Sequence, residues 1–202
     1  PLSRRQRQMC IRDSHIPGYT LIRGDRKSSR RKGVRDGGGA AIYINDHDMI
    51  DHKIIMKFSS GGVEAIGVHL KLKNLVVIMV YRQPDNPKQK TRSRSPEFKN
   101  FLKELDKSLK SLPTPQPDIL IGGDFNLPLA DWNSGTAGNV SPDVKSMISD
   151  MHSFACQHLL LQVVDAPTHR KGNTLDLLFT NNCNYIHSYE SHETVLSDHN
   201  LS

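Results

Sequence analysis

The stretch that most constrains this chain is the run DILIGGDFN, from Asp118 to Asn126. Its apolar residues suit a buried strand, and the two glycines that follow them allow a sharp exit. Such a strand would deliver Asp124 and Asn126 to the edge of a sheet. A carboxylate there is a hard oxygen ligand for Mg²⁺, and an amide can hold a phosphate or a nucleophile while staying neutral. An Asx-rich turn after a core strand has the same composition, so this stretch alone leaves both interpretations open.

Length and cysteine usage favour one intracellular domain. A chain of 202 residues can bury a two-layer core without disulfides. The three cysteines lie far apart without metal-ligand spacing, which fits a reducing compartment. The longest apolar run, Leu75 to Tyr81, is far shorter than the roughly 20 residues of a bilayer span, and no signal peptide is visible. We therefore expect no membrane partner, and nothing in the sequence indicates an obligate oligomer.

The N-terminal residues complicate the interpretation of charge. The formal net charge of +6 favours a polyanionic partner. However, Ser3 to Asp13, SRRQRQMCIRD, resembles a translated sequencing adapter, and without that stretch the excess falls to +3. We therefore expect residues 1–14 to be a non-native segment and residues 15–202 to form the domain, truncated at both ends. A genuine basic N-terminal arm is the alternative.

Short β-branched segments and two helical patterns follow one another along the rest of the chain. The predicted strands are IPGYTLIR, AAIYI, Ile54–Phe58, Val63–Leu70, Leu75–Tyr81, DILIGGD, Leu160–Val164, Thr174–Thr180 and Tyr185–Ser188. Helices are predicted to begin after capping serines at Ser95 and Ser141, each followed by proline. Two batches of strands, each with a helix able to cover it, predict an α/β four-layer α-β-β-α sandwich of two mainly antiparallel sheets.

Three further places carry chemistry beyond the DFN turn. Tyr81 ends a strand in VYRQP, where a phenol could bind a phosphate. Asp176 interrupts the apolar run TLDLLFT, and an acid inside such a strand needs a partner. Asp198 and His199 are adjacent in LSDHN and suit metal binding and proton transfer, respectively. Taken singly, these residues are also compatible with a strand-end aromatic, a paired strand acid and a surface turn.

Taken in order, these blocks resemble a known family. GGGAAIYI, VYRQP, LIGGDFNLPLADWNS, PTHRKGNTLDLLFTN and LSDHN are similar to blocks of the endonuclease/exonuclease/phosphatase superfamily. The similarity is greatest to the apurinic-type endonuclease domain of non-LTR (LINE-like, jockey-type) retrotransposons, and it covers nearly everything after Ser14. The resemblance implies the four-layer fold and a Mg²⁺-dependent endonuclease, with Mn²⁺ as an alternative ion.

The resemblance also implies roles for individual residues. Asp124 and Asn126 would hold the attacking water and the scissile phosphate, which Tyr81 would contact. Asp198, with Asp124 nearby, would bind Mg²⁺. His199 would act as general base or phosphate clamp, oriented by Asp176. Supporting polar positions are Ser197 and Thr168.

One departure concerns the metal. The family's first strand, which carries an Asn, and its principal metal-binding Glu lie upstream of the matching region. Glu64 follows the AAIYI block, whereas the family's Glu precedes it, so Glu64 is interpreted as an ordinary strand residue. We therefore expect a fragment that lacks the first strand or strands and nicks DNA poorly or not at all.

Basic loops leave the predicted catalytic edge and favour duplex DNA over a small phosphoester. The predicted DNA-binding residues are Arg82, Lys88, Lys90, Arg92, His169, Arg170 and Lys171. The expected function is nicking of DNA, in the nucleus when the target is chromosomal, to prime a reverse transcriptase domain of the same polyprotein. Alternatives are a cellular abasic-site endonuclease or phosphatase of the same fold, or a non-catalytic DNA-binding remnant.

Overall fold

A computed structural model describes residues 15–26, 39–47, 51–85 and 94–186. Several residues with predicted roles lie outside these ranges: Lys88, Lys90, Arg92, Ser197, Asp198 and His199. The described strands and helices are β1 (Tyr19–Asp25), β2 (Gly39–Asn45), β3 (His52–Ser60), β4 (Val63–Leu70), β5 (Leu75–Arg82), α1 (Ser95–Lys110), β6 (Asp118–Asp124), β7 (Ala130–Asp131), β8 (Thr136–Ala137), α2 (Pro142–Gln157), β9 (Leu161–Gln162) and β10 (Asp176–Thr180).

A six-stranded sheet in the order β3-β4-β5-β6-β10-β9 organises the molecule. Its pairs are antiparallel except for β5 and β6, which run parallel. A parallel pair needs a crossover connection, and α1 lies in the connection between these two strands. The carboxyl ends of β5 and β6 therefore meet at one edge of the sheet.

Strand alternation divides the buried side chains between the two faces of this sheet. Val76, Ile78 and Val80 of β5 share a core with residues of both helices, including the buried Phe101 and Met147. We call this side the helix face. The other side packs against the β1–β2 hairpin and is called the strand face. The sequence predicts this well, because β-branched residues at every second position fit two covered faces.

The predicted fold class is confirmed, with two sheets packed face to face and helices outside. One detail differs: both helices cover the six-stranded sheet, whereas the sequence patterns assigned one helix to each batch of strands. Within the described ranges, no helix is both long and apolar enough to cross a membrane.

Several predicted boundaries require correction. Ser141 caps α2 as predicted, since its side chain accepts a hydrogen bond from the Val144 amide at 3.3 Å. Ser95 does not cap α1: it is the first helical residue, Arg94 is the N-cap, and no side-chain capping bond forms there. The predicted strand Leu160–Val164 contracts to β9, and β10 begins at Asp176 rather than Thr174. Cys183–Tyr185 form a 3₁₀ turn where a strand from Tyr185 was predicted.

Candidate active site

Four chemically active side chains stand in one row across the strand face. Glu64 of β4 lies opposite Tyr81 of β5, Tyr81 opposite Asp124 of β6, and Asp124 opposite Asp176 of β10. Residues in register on neighbouring strands point to the same side of a sheet. The structure thus brings together three of the residues predicted from sequence, Tyr81, Asp124 and Asp176, on one edge.

Gly123 allows β6 to end at this edge. Its φ of +134° is a conformation that residues with side chains rarely adopt. A Cβ atom added there would stand 1.9 Å from the carbonyl oxygen of Val80 on β5. The glycine therefore lets the two backbones approach closely, which places Asp124 directly beside Tyr81.

Asn126 is held in a defined orientation behind Asp124. Its backbone amide donates to Asp124 Oδ1 at 3.0 Å, and its Nδ2 donates to Asp124 Oδ2 and to the Arg82 carbonyl, each at 2.7 Å. The residue has a φ of +48°, a left-handed conformation that Asn tolerates better than most residues. Because both hydrogens of Nδ2 are used, the amide presents its oxygen as an acceptor. An acceptor at this place suits a water molecule better than a phosphate oxygen.

Arg82 supports Asn126 instead of facing DNA, which corrects its predicted role. Its side chain is 1% exposed and lies on the helix face, since Arg82 continues the Val76, Ile78, Val80 alternation. Its Nη1 donates to the Asn126 carbonyl at 2.8 Å, and its Nη2 binds the carboxylate of Asp85. Arg82 thus holds Asn126 through both its backbone and its guanidinium.

Thr168 and His169 lie at the start of β10. The Thr168 hydroxyl is buried and accepts from the amides of Leu175 at 2.9 Å and Asp176 at 3.0 Å, which fixes the strand where Asp176 enters it. His169 is buried as well, and its Nδ1 accepts from the Lys171 amide at 3.1 Å. The structure therefore gives His169 a different part from the predicted DNA contact, since its buried ring supports a tight turn.

The same turn leaves two predicted DNA-binding residues available. Gly172 donates to the His169 carbonyl at 2.8 Å and closes the turn. Arg170 and Lys171 at its tip are exposed, as a contact to a phosphate backbone requires.

Glu64 is not the ordinary strand residue that the sequence suggested. Its side chain is 2% exposed, and its two oxygens accept from Arg26 Nε at 2.6 Å and Arg26 Nη2 at 3.1 Å. Sequence reasoning missed this pair. A signal was present, because Glu64 shares the alternation of Ile66, Val68 and Leu70, and a buried acid needs a partner.

Charge and burial around the row keep its phenol protonated. Burial raises the pKa of Tyr81 above its ordinary value of 10.0, and the neighbouring Asp124 carboxylate raises it further. The Arg26 guanidinium acts in the opposite direction on the pKa of Tyr81, more weakly than burial. Arg26 itself has a raised pKa, chiefly through its hydrogen bonds to Glu64. Tyr81 is therefore a hydrogen-bond donor over the physiological range of pH.

The acidic residues of the row include two carboxylates that suit a metal ion. Across the described part of the chain, no three His, Cys, Asp or Glu side chains cluster closely enough to hold one. Asp124 and Asp176 nevertheless form a cross-strand carboxylate pair, and like charges in that position repel unless a cation or donors offset them. Mg²⁺ commonly uses one or two carboxylates together with water and substrate phosphates, so this donor set fits it.

Comparison with known structures agrees with the fold. The endonuclease domain of TRAS1, a telomere-specific non-LTR retrotransposon, matches with a TM-score of 0.50 and 15% identity over 92% of this chain and 78% of that chain. The human Nocturnin catalytic domain matches with a TM-score of 0.45 and 14% identity over 81% of this chain and 60% of that one. D. rerio TDP2 complexed with single-strand DNA product gives 0.45 and 11%, over 91% and 74%. No curated protein matches in sequence.

The fold and the acidic edge define a member of the endonuclease/exonuclease/phosphatase superfamily, a class of hydrolases. Residues 75–202, well over half of the chain, match the family model described as endonuclease-reverse transcriptase. The chain belongs to that family, as its sequence blocks predicted.

Proposed function

We propose that this protein hydrolyses phosphodiester bonds in duplex DNA and leaves nicks from which a reverse transcriptase primes. The observation that carries the proposal is the row of Tyr81, Asp124 and Asp176 at one sheet edge, with Asn126 fixed behind it. This arrangement combines, within one site, a phenol that can donate a hydrogen bond to a phosphate, two carboxylates, and an amide oxygen that can accept a hydrogen bond from water. These are the groups that attack of water on a phosphodiester requires.

Each described residue has a part in the proposed reaction. Tyr81 donates a hydrogen bond to a non-bridging oxygen of the scissile phosphate. Asn126 orients the attacking water through its amide oxygen, and Asp124 fixes the amide by accepting from it. Asp176 faces Asp124 on the next strand. In the proposed reaction, Asp176 orients the imidazole of His199, which acts as the general base that takes the proton of the attacking water or as a clamp on the phosphate.

A divalent cation is part of the proposal. Mg²⁺, or Mn²⁺ in its place, would be held by Asp124 together with Asp198, and when bound it would supply charge stabilisation at the phosphate. Asp124 and Asp198 are the carboxylates that would hold the cation. Arg82 donates to the Asn126 carbonyl and keeps Asn126 in place beside them.

Duplex DNA is the proposed substrate because exposed basic residues flank the edge. Arg170 and Lys171 lie in the connection between β9 and β10, shortly before Asp176, the last residue of the row. Contacts of this kind are made to phosphates and are independent of base sequence. The description of the matching family supports a reverse transcriptase domain as partner in the same polyprotein. Action on chromosomal DNA would place the protein in the nucleus.

The test is conversion of supercoiled plasmid to the open circle by the 202-residue chain, with Mg²⁺ or with EDTA. Because the sequence predicts poor nicking, the protein is used in excess over the plasmid, and the nicking rates of variants are compared with that of the unmodified chain. Asp124→Asn should lower nicking by at least about 10²-fold, as loss of a charged transition-state group does. Asp118→Asn is the matched control, since Asp118 begins the same strand far from the row and binds Asn182 Nδ2.

Three outcomes separate the alternatives. Mg²⁺-dependent nicks that a polymerase extends without prior treatment carry a 3′-hydroxyl and support the proposal. Cleavage confined to abasic plasmid would favour the repair-type alternative. A chain that binds DNA and never nicks it would contradict the proposal and leave the non-catalytic remnant.

A further inference from the structure

The buried ion pair beside Tyr81 is unusual in its position. Glu64 stands next to Tyr81 in the cross-strand row, and both of its oxygens are bound to one guanidinium. A paired, fully engaged carboxylate of this kind is a poor metal ligand, because its charge is already neutralised. The position of Glu64 in the row is therefore explained by its effect on Arg26.

Arg26 reaches the row from the end of β1 and contacts Tyr81. The guanidinium carbon lies 6.0 Å from the centroid of the Tyr81 ring, where a cation is attracted to the ring face. The Arg26 side chain is about one quarter exposed, whereas its partner Glu64 is buried. Glu64 thus fixes one side of the guanidinium while another side faces the tyrosine.

The chemistry of the guanidinium limits what the phenol of Tyr81 can do. A guanidinium has donors and no acceptor, so Arg26 cannot take up the hydrogen of the phenol. That hydrogen stays available to an acceptor such as a phosphate oxygen, while the guanidinium packed against the ring restricts the position of the side chain. Without the guanidinium, the phenol could rotate and use its oxygen and hydrogen in other ways.

We propose that Arg26, fixed by Glu64, is a positioning residue that holds Tyr81 as a hydrogen-bond donor to the DNA phosphate. The inference rests on the proposed function for the identity of the phosphate. It assigns no direct contact between Arg26 and DNA. Arg26 and Tyr81 therefore act as one unit, and removing either should have the same effect as removing both.

A double-mutant cycle in DNA binding tests this, with fluorescence anisotropy of a short labelled duplex in EDTA. Arg26→Lys keeps the charge beside Glu64, but a single ammonium lacks the rigid fork that spans Glu64 and Tyr81. Arg26→Lys and Tyr81→Phe should each weaken binding by about three- to tenfold, the effect of one hydrogen bond, and the double variant should be no weaker than either. Arg23→Lys is the matched control, because Arg23 lies on β1 shortly before Arg26 and pairs with Asp25 in an exposed ion pair.

A second variant separates positioning from structural support. Arg26→Met combined with Glu64→Met replaces the ion pair by apolar side chains, an exchange that often preserves stability. We expect near-normal thermal unfolding and the same loss of DNA affinity as in Tyr81→Phe. Binding at the wild-type level in this variant and in Arg26→Lys would overturn the proposal.

Multiplicative losses in the cycle would also overturn it, since they would mean that Arg26 contacts DNA independently of Tyr81. Because binding in EDTA requires no catalysis, the cycle remains decisive if no nicking is detected. A non-additive cycle without nicking would retain the Arg26–Tyr81 unit and reject the nuclease activity. Nicking with an additive cycle would do the reverse.

Discussion

The two faces of the six-stranded sheet are covered to different extents. The helix face carries a large continuous core, in which Phe98 and Phe101 of α1 and Ile121 of β6 are fully buried. The described cover of the strand face is the β1–β2 hairpin, with a smaller cluster around Ile42 and Ile66. The row of chemical groups stands on the strand face. The comparison indicates that packing on one face holds the sheet while the other face presents the chemistry.

The largest expected effect compares the same substitution on the two faces. Ile121→Ala on the helix face should lower the free energy of unfolding by about 4 kcal/mol, because the cavity is enclosed by two helices. Ile66→Ala on the strand face should lower the free energy of unfolding by about 2–3 kcal/mol, because β1 and β2 can move to fill part of the cavity. Both isoleucines are 0% exposed, so burial does not distinguish them. Urea unfolding measures the difference, and equal losses would show that the two covers are equally rigid.

A smaller effect is expected for Arg82, which lies on the helix face and holds Asn126 behind the row on the strand face. Arg82→Met preserves much of the buried volume but removes the hydrogen bond to the Asn126 carbonyl, so nicking should fall about tenfold, or about 1.4 kcal/mol. Arg94→Met is the control, because Arg94 Nη1 likewise binds backbone carbonyls, those of Gln83 and Pro84. The salt dependence of DNA binding should not change in Arg82→Met. A shallower dependence would instead restore Arg82 as a phosphate contact.

The smallest effect is a pH dependence on the helix face. Burial lowers the pKa of His69 below 6.5, and Lys71 and Lys53 lower it further, while Asp51 opposes them. The unfolded chain therefore takes up a proton that the folded chain resists, and stability should fall as the pH drops below about 6.5. His69→Gln should make that fall smaller, as measured by urea unfolding at about pH 7 and pH 5. An unchanged pH dependence in the variant would contradict the assignment.

Much of the fold follows from local patterns. Val63–Leu70 was predicted with the bounds that the structure gives, because continuous burial on both faces leaves a long apolar run. The helical spacing of Phe98, Phe101, Leu102, Leu105 and Leu109 correctly predicts the buried side of α1. The prediction that Ser95 caps α1 was wrong, because proline is accepted at either of the first two helical positions. The helix begins at Ser95 itself, one residue earlier than a cap at Ser95 would allow.

The candidate site was predictable in part. Tyr81, Asp124 and Asp176 follow from strand ends and from an acid within an apolar strand, and the structure places them in register. Arg82 was misassigned because a basic residue beside a predicted catalytic tyrosine suggests DNA, although its place in the alternation indicates burial. Arg26 could not be assigned from local sequence, because its contact with Glu64 joins residues 38 positions apart.

The order of the row along the chain has a consequence for folding kinetics. Glu64 and Tyr81 meet through a local hairpin, whereas Asp124 joins them only after the α1 crossover, and Asp176 only after α2 and the turn at Thr168. Closing such long loops costs chain entropy before the stabilising contacts between the strands form, so these pairings form slowly. During synthesis, the hairpin bearing Glu64 and Tyr81 can therefore exist long before Asp124 and Asp176 arrive. The row is complete only when nearly the whole described chain has emerged and β10 has docked.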